Sequence, residues 1–211
     1  MRVRQLLGAG LMALLFTLLA TLQAAAAESL PVLRGIGGDF SAQSTLGREL
    51  SLKEFRGKPL LLFFGYTNCS DICPATLGHL SKLTQGNPDA VQVLFVSIDP
   101  KNDTAKHLKA YLAHFDEHYI GISDEIERID AIVALFQARY SRVGDRELST
   151  KYKKFKVPKK PLEPGAEDKA YLYTHSATIY LLDKKGRTRA TYFNGTPISQ
   201  MRTDIASLIT E

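Results

Sequence analysis

The chain has 211 residues, 45% of them hydrophobic and 23% charged, with a net charge of +5. That length carries one domain with a full hydrophobic core, and the balanced composition excludes a fibre, a repeat array and a disordered chain. Without the two N-terminal arginines the count is 25 basic and 22 acidic residues, a charge of +3, too small a bias to argue for nucleic acid.

Arg2 and Arg4 precede an uncharged run from Gln5 to Ala27, rich in leucine and ending in small residues. This reads as a secretory signal peptide over residues 1–27, with Ala25 and Ala27 before the cut. An uncleaved membrane anchor is the alternative, because about 20 apolar residues span a bilayer. No cysteine lies near residue 28, which speaks against a lipoprotein anchor. In either case residues 28–211 are expected outside the cytoplasm, in the periplasm or on the outer face of the inner membrane.

The apolar run Pro59 to Phe64, followed by Gly65, predicts a buried strand. Leu77, Leu80 and Leu83 then sit at helical spacing, and Val91 to Ile98 predicts a second buried strand. Leu108, Tyr111, Leu112 and Phe115 form one face of a helix capped by Asp103 or Thr104. Ile126, Ile129, Ile132, Val133 and Phe136 form the apolar stripe of the next helix. Two strands flank the turn Asp183 to Gly186, and "ISQMRTDIASLI" predicts a closing helix. Helices and strands in this order predict an α/β domain, a central mixed sheet with helices on both faces. A long inserted loop at about 141–170 breaks the rhythm. Its lysines, Lys151, Lys153, Lys154, Lys156, Lys159 and Lys160, read as a solvated surface, or else as a docking face for an acidic partner or a membrane.

The cysteines, Cys69 and Cys73, lie in "GYTNCSDICP", after the first strand and at the start of a helix. At i and i+4 on one helix face both thiols point the same way, and the helix N-terminus, with Asp71 as cap, favours thiolate. Four uses compete. A structural disulfide closing so small a loop removes little chain entropy. A thiol–disulfide oxidoreductase ordinarily has two residues between its cysteines, not three. A peroxidase-type nucleophile has no supporting motif. A metal site needs at least one further ligand, a histidine or carboxylate from elsewhere in the chain. His79, His107, His114 and His118 read as surface or half-buried imidazoles, and Asp99 as a solvated carboxylate at a strand end. His175, in "YLYTHSATIYLL", sits immediately before a buried strand and is the remaining candidate ligand.

"GYTNCSDICPATLGHL", "FVSIDPKNDT" and "THSATIYLLDKKG", taken in order, resemble the Sco (SenC) family of copper-binding, thioredoxin-like proteins, from about Gly38 to the C-terminus. The resemblance implies a thioredoxin-like fold in which Cys69, Cys73 and His175 bind one copper ion per chain, Cu(I) or Cu(II). It implies a metallochaperone that helps assemble the dinuclear copper centre of cytochrome c oxidase, with the oxidase copper-centre subunit or another copper chaperone as partner. A thiol–disulfide oxidoreductase that keeps partner cysteines reduced through Cys69 and Cys73 is the alternative. Thr174 stands where the family often has an acidic residue, and Ser70 replaces a common proline. Soft thiolates suit Cu(I), and an imidazole suits either copper state.

Overall fold

The computed structural model describes residues 29–142, 173–175 and 177–211. The expected signal peptide or anchor and the lysine-rich loop lie outside the described residues. By contacts the chain divides into two units, Met1–Leu30 and Pro31–Glu211, and all elements below belong to the second.

A short hairpin of β1 (Ser41–Gln43) and β2 (Glu49–Ser51) leads into a 3-10 turn, Leu52–Phe55. The core alternates next: β3 (Leu60–Gly65), α1 (Ile72–Thr84), β4 (Gln92–Ser97), α2 (Ala105–Ala113), β5 (Ile120–Ile122) and α3 (Ile126–Leu135). Then follow β6 (Tyr140–Arg142), β7 (Tyr173–His175), β8 (Ile179–Leu182), β9 (Thr188–Tyr192) and α4 (Ile198–Thr210).

The five-stranded sheet runs β5-β4-β3-β8-β9. β3, β4 and β5 are parallel, as helical crossovers require, while β8 is antiparallel to both β3 and β9. Every residue of β3 is buried, as expected for a strand covered on both faces. Alternation splits its aromatics between the two faces. Phe63 packs edge-on against Phe95, which meets Tyr111 of α2. Phe64 packs against Tyr180 and against Phe136 at the end of α3. A Cβ at Gly121 would lie 2.5 Å from Leu108 Cδ2, so the bare backbone of β5 lets α2 sit down on the sheet. α4 lies beside α1, with Arg202 Nη2 donating to the Lys82 carbonyl at 2.9 Å.

The β8–β9 turn is tied to the last residue. Asp183 accepts from Arg187 Nε at 2.8 Å and Arg189 Nη1 at 3.1 Å, and Arg189 also grips Glu211 with both terminal nitrogens, at 2.6 and 2.7 Å. No helix among the described residues is long and apolar enough to cross a membrane.

The sequence reading missed β1, β2, β5 and the β6–β7 pair. In that pair Tyr140 stands opposite His175, so the two ends of the inserted segment meet as a two-stranded ladder.

Candidate thiol and metal site

β3 delivers the chain to the top of the sheet at Gly65, and the turn from Tyr66 closes with Cys69 N–H donating to the Tyr66 carbonyl at 3.3 Å. α1 begins only at Ile72. Cys69 therefore precedes the helix rather than sharing a face with Cys73, which corrects the expectation of an i, i+4 pair. The two thiols still meet: Cys69 Sγ accepts from the Cys73 backbone N–H at 3.4 Å. The sulfur satisfies one of the first-turn donors that have no partner inside the helix. Asp71 stands at the cap position but makes no capping hydrogen bond through its side chain.

Cys69 is half-buried and Cys73 fully buried. A Cβ at Gly65 would lie 2.9 Å from Cys73 Sγ and 2.8 Å from two ring atoms of Phe95, so Cys73 occupies the space that the glycine leaves. Burial pushes the Cys73 thiol far above its usual range. A backbone hydrogen bond from Tyr66 pulls it back only in part, and the charges of Cys69 and Asp103 push it further up. Burial thus opposes the thiolate that a helix N-terminus would favour.

Of the two cap candidates the structure bears out Thr104 and corrects Asp103. Thr104 caps α2, accepting from His107 N–H at 3.3 Å. Asp103 instead turns into the core and is fully buried, accepting from Thr67 N–H at 3.0 Å, Thr67 Oγ1 at 2.5 Å and Ser97 Oγ at 2.6 Å. Asp99, expected in solvent, is buried too, with its carboxylate accepting from Asn102 Nδ2 at 2.8 Å. Tyr111 brings a phenol oxygen into this region that is buried and has no hydrogen-bond partner among the described residues.

Of the histidines, His79 turns to the Thr196 carbonyl, 2.9 Å away, and His118 pairs with Asp116 at 2.8 Å. His114 is exposed. His107 is exposed as well, but its Nε2 lies 3.1 Å from Thr67 Oγ1, so it stands on the turn that carries Cys69. His175 is the last residue of β7, four residues before Ile179, which pairs with Phe63 of β3. Its side chain, and hence the full expected ligand set Cys69, Cys73 and His175, lies outside the described residues. Among the described residues no three His, Cys, Asp or Glu side chains gather as metal ligands.

The sequence matches the model of the SCO1/SenC family over residues 31–210. This chain belongs to the SCO1/SenC family. The SCO2-like protein of Rickettsia conorii is 30% identical over 79% of this chain and 74% of its own. The bovine mitochondrial SCO2 homolog is 32% identical over 71% of this chain, but that match spans only half of the bovine protein. Among solved structures, ScoI of Bradyrhizobium japonicum with copper bound is 29% identical, covering 82% of this chain and 99% of its own at a TM-score of 0.66. Apo Sco1 of Thermus thermophilus is 27% identical over 85% of this chain and 94% of its own, at 0.64. The mixed sheet with helices on both faces is accordingly the thioredoxin-like fold of Sco proteins.

Thr67, Asp103, His107 and Tyr111 are the neighbours of the thiols that the sequence reading did not assemble. Of these four only Asp103 has a signal, the "SIDPKNDT" stretch, and that stretch does not say which way the acid faces.

Proposed function

We propose that this Sco protein binds one copper ion per chain through Cys69, Cys73 and His175. It carries that ion to the copper-centre subunit of cytochrome c oxidase, or exchanges it with another copper chaperone. The observation that carries the reading is the pair of adjacent cysteines, Cys69 half-exposed beside a buried Cys73, in a family with copper-bound members. Two sulfurs are a soft donor set that suits Cu(I), and an imidazole suits either oxidation state. Cargo must also leave, and a half-exposed sulfur gives a partner's ligand a point of entry. Because burial holds the Cys73 proton tightly, copper has to displace that proton, and affinity weakens as pH falls. This role places the protein outside the cytoplasm, in the periplasm or on the outer face of the inner membrane, with residues 1–27 as signal peptide or anchor.

The asymmetry of the thiols supports a second reading, a thiol–disulfide oxidoreductase. Cys69 is the accessible sulfur and Cys73 the sheltered one. Attack by the Cys69 thiolate on a partner disulfide forms a mixed disulfide and releases one partner thiolate. Attack by Cys73 then releases the second and leaves a Cys69–Cys73 disulfide, so two electrons pass to the partner.

His175→Ala separates the readings. With copper as cargo, Cu(I) affinity measured by chelator competition falls, Cu(II) affinity falls further, and reduction of a test disulfide is unchanged. Oxidase activity in the variant strain is lost and partly restored by added copper. If His175→Ala supports full oxidase assembly at low copper while Cys69→Ser does not, the thiol reading wins. Zinc retained in preference to Cu(I) by the reduced wild-type protein would sink the copper reading.

A further inference from the structure

Asp103 carries more hydrogen bonds than a helix start requires. Its carboxylate takes both the N–H and the hydroxyl of Thr67 in the β3–α1 turn, and the hydroxyl of Ser97 at the end of β4. Its own N–H donates to the Asp99 carbonyl at 2.9 Å, and its carbonyl accepts from Ser123 Oγ, beyond β5, at 2.5 Å. One residue therefore joins the turn, β4 and the segment after β5. Thr67 lies inside the turn that the Cys69 N–H to Tyr66 carbonyl bond closes, so the carboxylate holds the middle of the loop that carries Cys69. The Thr67 hydroxyl has one hydrogen and gives it to Asp103, so His107 Nε2 is the donor in its contact with that oxygen. Burying a carboxylate is costly unless its hydrogen bonds are made, and Thr104 already caps α2 without it. Burial pushes the Asp103 carboxyl above the usual carboxylate range, and the bonds from Ser97 and Thr67 pull it back.

We propose that Asp103 is the positioning residue of the thiol pair. It moors the Tyr66–Cys69 turn to β4 so that Cys69 Sγ stays in reach of Cys73 in the empty, copper-loaded and disulfide states alike. The inference deepens the function proposed above. It rests on that function for the cargo, but not for the thiol chemistry. Held in place, the two sulfurs face each other at high effective concentration. Released, they lose that advantage for metal binding and for disulfide formation together.

The test uses the purified protein in two equilibria, with circular dichroism to report the fold. In a dithiothreitol redox buffer the S–S bond of oxidised dithiothreitol breaks as the Cys69–Cys73 bond forms, and two electrons and two protons pass to dithiothreitol. In the second, a chelator competes for Cu(I). In Asp103→Ala both constants fall roughly tenfold or more. In Asp103→Asn they stay within about threefold, because the amide oxygen still accepts from Thr67 N–H and Ser97 while its nitrogen donates to Thr67 Oγ1.

A folded Asp103→Ala with both constants at the wild-type value overturns the proposal. So does equal behaviour of the Ala and Asn variants with faster alkylation of Cys69, which assigns the effect to the lost charge. If Asp103→Ala does not fold, Thr67→Val decides. It keeps the N–H bond but deletes the hydroxyl link, and both constants fall by about threefold; unchanged constants overturn the mooring. If the wild-type protein takes up no Cu(I), the proposed cargo is wrong, and the dithiothreitol equilibrium still judges Asp103.

Discussion

Gly65→Ala tests whether the top of the sheet is shaped around the thiol site. The added methyl would lie 2.8 Å from Cε2 and Cζ of Phe95 and 2.9 Å from Cys73 Sγ, where ordinary contact begins at 3.4 Å. Each neighbour must retreat by about half an ångström. Phe95 has little room to do so, being fully buried with its ring held edge-on by Phe63 at 5.7 Å and Tyr111 at 6.5 Å. Overpacking of this kind costs about 1–3 kcal/mol. For a domain of this size that corresponds to a fall in Tm of roughly 2–12 °C, read by thermal unfolding of the reduced protein. Because the sulfur is one of the atoms in the way, the substitution costs less in a Cys73→Ala background. A double-mutant cycle should return a coupling of at least about 0.5 kcal/mol. An unchanged Tm, or costs that simply add, would refute the idea that Cys73 and Gly65 share one packed space.

Tyr111→Phe keeps the ring against Phe95 and Phe115 and deletes only the buried hydroxyl, which has no partner among the described residues. Stability should rise, by up to about 1 kcal/mol in chemical denaturation; a clear loss would mean that the hydroxyl is bonded in solution. Asp183 contributes to the acid limb of stability. Burial alone would raise its carboxyl, but the bonds from Arg187, Arg189 and Lys185 outweigh burial and hold it below the usual range. A depressed carboxyl stabilises the fold above its unfolded pKa of about 4, and this contribution is lost as pH falls through the folded value. Unfolding curves between about pH 2 and pH 6 should therefore show a shallower acid loss for Asp183→Asn than for wild type. Parallel curves would remove Asp183 from the account.

The elements legible in the sequence are those with a long local pattern. Leu60 to Phe64 and Val93 to Val96 are uninterrupted apolar runs that match buried strands, and Leu77, Leu80 and Leu83 fall on the buried face of α1. β5 and β7, of three residues each, are too short to show a period, and β6–β7 exists only through pairing across a long separation. The cysteine pair was visible because its spacing is chemical, yet the state of Cys73 was not. Burial by Gly65 and Phe95 decides it, and a helix dipole read from sequence carries no information about burial. Asp103 was misassigned for a related reason. An acid just before a helix reads as a cap, and its true partner, Thr67, lies 36 residues away.

The antiparallel seam between β3 and β8 bears on how the protein is made. Phe63 pairs with Ile179, so the strand that presents the cysteines is flanked on that side by chain emerging more than a hundred residues later. Synthesis runs from the N-terminus, and a contact this distant in sequence forms late. A nascent chain thus presents its two thiols beside a half-built sheet, with β4 available on one flank and nothing yet on the other. During that interval the edge of β3 that β8 later covers stands open beside the turn that carries the thiols. The last third of the chain therefore sets when that edge of the sheet closes.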